Sequence, residues 1–109
     1  MVTPSNKLVG LVLKTDISSI DKVTVDNTNF RIQKINGITE VHNIDKFSIL
    51  CKHRMNEFGY SLFSAVSPSG LLGLCLYDTH ETPLMDYEHL TKGETEAEAI
   101  ILACEKIIG

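Results

Sequence analysis

The 109-residue chain contains no tryptophan, and only 6% of its residues are aromatic. Stacking platforms for single-stranded nucleic acid are built from such rings, so the composition argues against that class of function. Cysteine is scarce as well. Cys51, Cys75 and Cys104 are odd in number, widely spaced and set within apolar segments. That pattern speaks against a disulfide framework and offers no CxxC zinc pair; it reads as buried free thiols. No apolar run approaches the roughly 18 residues that a membrane span requires. The start, MVTPSNKLVGLVLKTD, has neither a basic leader nor an apolar stretch long enough for a signal peptide, so a cytoplasmic protein is expected. GxGxxG and GxSxG are missing too. SPSG (67–70) lacks the lysine and spaced glycines of a phosphate loop and reads as a turn.

What is present is a globular composition, 43% hydrophobic and 22% charged, in a length that suits one domain over residues 1–109. The net charge of −4 is unevenly spread. Between Asp78 and Glu98 the acids Asp78, Glu81, Asp86, Glu88, Glu94, Glu96 and Glu98 face a single base, Lys92, giving −6. Residues 1–77 carry +2 and residues 99–109 cancel. A basic footprint is what nucleic acid requires, so no direct binding to it is expected of the C-terminal third. The acidic segment suits a partner with a basic surface.

The order of elements follows from the apolar spacing. KLVGLVLKT (7–15) is a compact Val- and Leu-rich run that predicts a strand buried on both faces. KVTVDN (22–27) predicts a short strand that ends in turn residues. In FRIQKINGITEVHN (30–43), Asn36-Gly37 predicts a two-residue type I′ hairpin. That turn pairs Ile35 with Ile38, Gln33 with Glu40 and Ile32 with Val41, and puts Phe30, Ile32 and Val41 on one dry face. Helical spacing takes over at Phe47, Leu50, Cys51, Met55 and Phe58, with Asp45 or Asn43 as cap and Gly59 just past the end. YSLFSAVSPSGLLGLCLYD (60–78) predicts a second hairpin, whose return strand, Leu71 to Tyr77, is apolar enough to be central. GETEAEAIILACEKIIG (93–109) predicts the strongest helix: Thr95 and Glu98 form a capping box, and Ala97, Ile100, Ile101, Cys104, Ile107 and Ile108 an apolar stripe. The sequence shows no internal repeat. The expectation is an α+β domain, a mainly antiparallel sheet of five to six strands with two helices at about 45–58 and 95–108.

Chemistry, if present, should sit in DTHETPLMDYEH (78–89), which gathers two His, two Asp and two Glu. His80-Glu81 begins like a zincin helix, but Leu84 stands where the second His belongs, and Pro83 interrupts a helix. A nonstandard zinc or manganese site from His80, Asp86, Glu88 and His89 is the alternative, as a metal-dependent enzyme. Cys75 with His80 as its base is a weaker nucleophile pair, since the strand around Cys75 is apolar. CKHR (51–54) places base on one helix face, where it reads as a solvated face. No catalytic residue, metal or cofactor is expected under the leading reading.

The half of the chain from GYSLFSAVSPSG through GETEAEAIILACEKIIG resembles the small bacteriophage proteins grouped as phage α–β–α sandwich domains. The shared features are a β-hairpin, a polar loop, and a Gly/Thr-containing start to an Ala- and Ile-rich helix. In place of a tryptophan near the start of the hairpin, this chain has Tyr60 and Phe63. The resemblance implies a phage or mobile-element origin and an accessory protein that binds and disables a host protein, with no catalytic residues to carry over. The leading expectation is therefore a non-enzymatic binding module, an inhibitor of a host (defence) protein. Its partner-facing residues would be Asp78, Glu81, Asp86, Tyr87, Glu88, Glu94 and Glu96. A third reading is a homodimeric structural or small-ligand-sequestering protein joined through the Leu71–Tyr77 strand or the last helix.

Overall fold

The computed structural model describes residues 2–68, 70–77 and 86–109. In chain order these form α1 (Asn6–Leu13), a 3₁₀ turn (Ile17–Ser19), β1 (Ile20–Asp26), β2 (Asn29–Lys34), β3 (Thr39–Asn43), α2 (Ile44–Glu57), β4 (Tyr60–Ser67), β5 (Gly70–Tyr77), β6 (Asp86–Gly93) and α3 (Glu96–Ile108). The class is α+β, as the spacing predicts. The single sheet with two helices is not what forms. The strands divide into two antiparallel three-stranded sheets, β1-β2-β3 and β4-β5-β6, and the described residues include a third helix.

That third helix is α1, where the run from Lys7 suggests a strand. A short apolar run does not discriminate between the two by its period, so end signals and tertiary bonds decide. Ser5 Oγ accepts from the Leu8 N–H at 3.1 Å, and Lys14 closes the helix in the left-handed region with its amide on Gly10 O. Leu8, Val9 and Val12 are then buried together. Two bonds hold α1 to α3: the Ser5 amide donates to Glu105 Oε1 (2.9 Å), and Lys7 Nζ donates to Ile108 O (2.7 Å). A third, from Arg54 Nε to Leu11 O (3.0 Å), holds it to α2.

The first sheet differs from expectation by one residue of register. Only Gly37 of the Asn36-Gly37 pair has positive φ (88°), and the Gly37 amide donates to Lys34 O while the Lys34 amide donates to Ile38 O. This is a type I turn followed by a left-handed glycine, a three-residue loop rather than a type I′ pair. Arg31 therefore pairs with Val41, and Ile32 with Glu40. A one-residue slip exchanges the faces of a strand. Val41 is 59% exposed, while Phe30 and Ile32 are buried. His42 moves to the buried face and stacks on Phe30 (ring centroids 5.4 Å apart). Ile35 and Ile38 remain exposed beside the turn.

Both long helices lie where the spacing puts them. Asn43 caps α2, its Oδ1 accepting from the amides of Asp45 and Lys46, and Gly59 takes φ 90° just past the end. Ile44, Phe47, Cys51 and Met55 are buried, whereas Leu50 and Phe58 stay about half exposed. Phe47 meets Phe30 edge-on at 4.7 Å, so large side chains separate α2 from the first sheet. In the second sheet β5 is central, as its apolar sequence requires. The SPSG turn includes Ser69, which lies outside the described residues. Here α3 approaches closely. A Cβ on Gly93 of β6 would stand 2.6 Å from Ala99 N and 2.9 Å from Ala99 Cα.

Among the described residues the order β-β-β-α thus occurs twice, β1–β3 with α2 and then β4–β6 with α3. The helices bury matching positions, Ile44, Phe47, Ser48 and Cys51 on one and Ala97, Ile100, Ile101 and Cys104 on the other, both spaced i, i+3, i+4, i+7. The repeat is invisible in sequence because the buried residues agree in spacing and differ in type.

Candidate functional site

The acidic segment is spread over three structural settings. Asp78 and Glu81, with His80 and most of the 78–89 stretch, lie outside the described residues. Asp86, Tyr87, Glu88 and His89 are not loop residues. They belong to β6, paired in register with Tyr77, Leu76, Cys75 and Leu74. The physical reason is the neighbouring strand: β5 needs partners on both backbone edges to be central, and β6 supplies the second. A register shift between Gly73 and Leu74 accommodates the pairing.

Glu94 and Glu96 follow the far end of this strand. Asp86 and Glu94 are separated by the full length of β6, roughly 26 Å for eight extended steps. Asp86 and Glu88 therefore sit toward one end of an edge strand, and Glu94, Glu96 and Glu98 gather at the other. The acids form a long margin rather than one patch.

At the α3 end the geometry is defined. Thr95 Oγ1 accepts from the Glu98 amide at 3.1 Å, the first half of the expected capping box. The second half is displaced by one residue, since Glu98 Oε1 accepts from the Glu94 amide at 3.4 Å. Glu96 is exposed and receives Lys52 Nζ at 3.1 Å, a contact between α3 and α2 across 44 residues of sequence. Glu94 is exposed, and the bond it makes with Glu98 uses its backbone amide. The acids at this helix start also complement the positive end of its dipole, which is the structural role that any acidic first turn plays.

Beside this corner, α2 and β4 enclose an open groove of about 510 Å³ lined by Lys52, His53, Asn56, Glu57, Ser61 and Leu62. The basic run 51–54 contributes less free charge than its sequence suggests. Cys51 is buried, Lys52 is paired with Glu96, and Arg54 bonds both Leu11 O and the Glu57 carboxylate while lying over the Phe58 ring at 4.7 Å. The Arg54 hydrogen bond holds the Glu57 carboxyl below its usual range. Of that run, His53 is an exposed side chain on the groove. Nothing in the sequence signals the Lys52–Glu96 pair or the part played by Asn56 and Ser61, because both depend on how α2, β4 and α3 come together.

No group of three or more His, Cys, Asp and Glu able to hold a metal occurs among the described residues, and none of their helices is long and apolar enough to cross a membrane. Comparison with protein families, with curated proteins and with solved structures finds no match to this chain.

Proposed function

We propose that the protein is a non-enzymatic binding module that recognises the basic surface of another protein along the margin from β6 into the first turn of α3. The observation that carries this reading is the charge of that margin, −4 over residues 86–98, within a segment that carries −6 between Asp78 and Glu98. Its described end is fixed by the Thr95 cap and by the Lys52–Glu96 pair. Preset carboxylates favour fast, salt-sensitive association with a basic partner. A host protein that itself handles nucleic acid is the partner class this charge fits, in keeping with an inhibitor encoded by a phage or mobile element.

Affinity capture from a bacterial lysate tests the reading, with wild type run beside a double charge reversal, Asp86→Lys with Glu88→Lys. A specifically captured basic protein that is lost in the variant and eluted by salt supports it. Capture that is equal in the variant overturns the acidic-margin version.

The homodimer reading is favoured by a separate observation. The β5 sequence GLLGLCLY is apolar almost throughout, more so than a strand needs to pack on α3 alone. Light scattering at high concentration decides it, with a monomeric mass ending that alternative.

A further inference from the structure

Cys51 and Cys104 are free, fully buried and contributed by different helices, α2 and α3, which pack on each other. Each occupies the last position of the matching i, i+3, i+4, i+7 buried set of its helix, so the two β-β-β-α units meet at this pair. Their thiols are hydrogen-bonded to each other. Such a contact places two sulfurs side by side in one continuous apolar cluster.

We propose that Cys51 and Cys104 are a latent dithiol, which a peroxide-class oxidant converts into a disulfide joining α2 to α3 and a thiol reductant reopens. The balance is simple. One thiol is oxidised to a sulfenic acid as the peroxide is reduced and one water leaves. The second thiol then displaces hydroxide from that sulfur, forming the S–S bond and releasing a second water. Two electrons pass from the two sulfurs to the peroxide.

The fold sets when this happens. The hydrogen bond with Cys104, followed by burial, pushes the Cys51 thiol far above its ordinary range, so its nucleophilic thiolate is suppressed in the closed structure. Oxidation therefore proceeds through opening of the α2–α3 contact, and the product locks that contact shut. A link between residues 51 and 104 closes a loop of about 50 residues, long enough to stabilise the chain substantially by restricting the unfolded state. The pair thus records oxidative opening of the domain as a covalent cross-link between its two units.

The test uses the full chain and a Cys75→Ser variant, each treated with hydrogen peroxide in native buffer and in urea below the unfolding midpoint. The expected product is a monomer lighter by about 2 Da whose peptide map joins Cys51 to Cys104. It should form several-fold faster in urea. It should also melt on the order of 10 °C higher until dithiothreitol is added. Persistent free thiols in urea would overturn the proposal. So would sulfinic or sulfonic adducts without the cross-link, or bonds routed through Cys75 in wild type and absent from the Ser variant.

Discussion

Replacing Gly93 by alanine should destabilise the protein by about 2 kcal/mol, although the change adds one methyl group. Gly93 has no positive φ, so alanine is free to adopt its backbone conformation. The penalty is steric. The new Cβ would lie 2.6 Å from Ala99 N, 2.9 Å from Ala99 Cα and 3.2 Å from Ala99 Cβ. Ordinary contact lies near 3.5 Å, so the first turns of α3 must retreat from β6 by roughly an ångström. Two of the three atoms are backbone and no rotamer change relieves them. Overpacking of a close-packed site costs about 1–3 kcal/mol, and a rigid helix backbone puts this one at the upper end. The lower entropy of the unfolded alanine chain returns about 0.4–1 kcal/mol. The net loss corresponds to a melting point lower by roughly 10 °C in a domain of this size. Urea unfolding followed by circular dichroism measures it. Adding Ala99→Gly should not restore stability, because that change removes the most distant of the three contacts. A Gly93→Ala protein as stable as wild type would refute the close packing of α3 on β6, and with it the placement of Glu94 and Glu96.

The register of the first sheet predicts opposite outcomes for two neighbouring apolar residues: Ile32→Ala should cost about 2–5 kcal/mol, and Val41→Ala within about 0.5 kcal/mol of nothing, by chemical denaturation. The hydrogen bond from Lys34, then that from His42, holds the Glu40 carboxyl below its usual range. A depressed folded value stabilises above the unfolded pKa and is lost as pH falls through the folded one. Glu40→Gln should therefore cost about 0.5 kcal/mol at pH 7, the size of a half-exposed pair, and the two unfolding curves should converge as the pH falls through the depressed folded value. A double-mutant cycle on Lys52 and Glu96 should return a coupling of about 0.5 kcal/mol that shrinks with added salt.

Which parts of the structure were legible in the sequence follows from how locally each is determined. Helix α2 announces itself through Phe47, Cys51, Met55 and Gly59, and α3 through Thr95, Glu98 and its Ala- and Ile-rich stripe, because caps and helical spacing act within a few residues. The central place of β5 is legible for a similar reason, a run of apolar residues that no edge strand tolerates well. Helix α1 is not, since eight residues rich in Val and Leu fit either period and only Ser5, Lys14 and the bonds to Glu105 and Ile108 choose helix. The hairpin at Asn36-Gly37 is found but misregistered, as the same dipeptide closes both a type I′ turn and a type I turn with a left-handed glycine. The division into two sheets and the assignment of Asp86 to a strand rest on pairings between distant segments, for which single-residue patterns hold no information. At the candidate site, Glu94 and Glu96 could be placed from the helix start alone. That Glu96 is already tied to Lys52 could not.

The central claim is recognition through the acidic margin, and Glu94 probes it most cleanly. Its side chain is exposed, and the helix cap uses its backbone amide, so Glu94→Lys reverses charge while leaving the Thr95–Glu98 bond in place. The measurement is the affinity of the captured partner for wild type and for this variant, by calorimetry at about 50 and 300 mM salt. Binding should be at least tenfold weaker in the variant at low salt, with a smaller gap at high salt. Equal affinity for the two proteins at both salt concentrations would contradict recognition through the acidic margin.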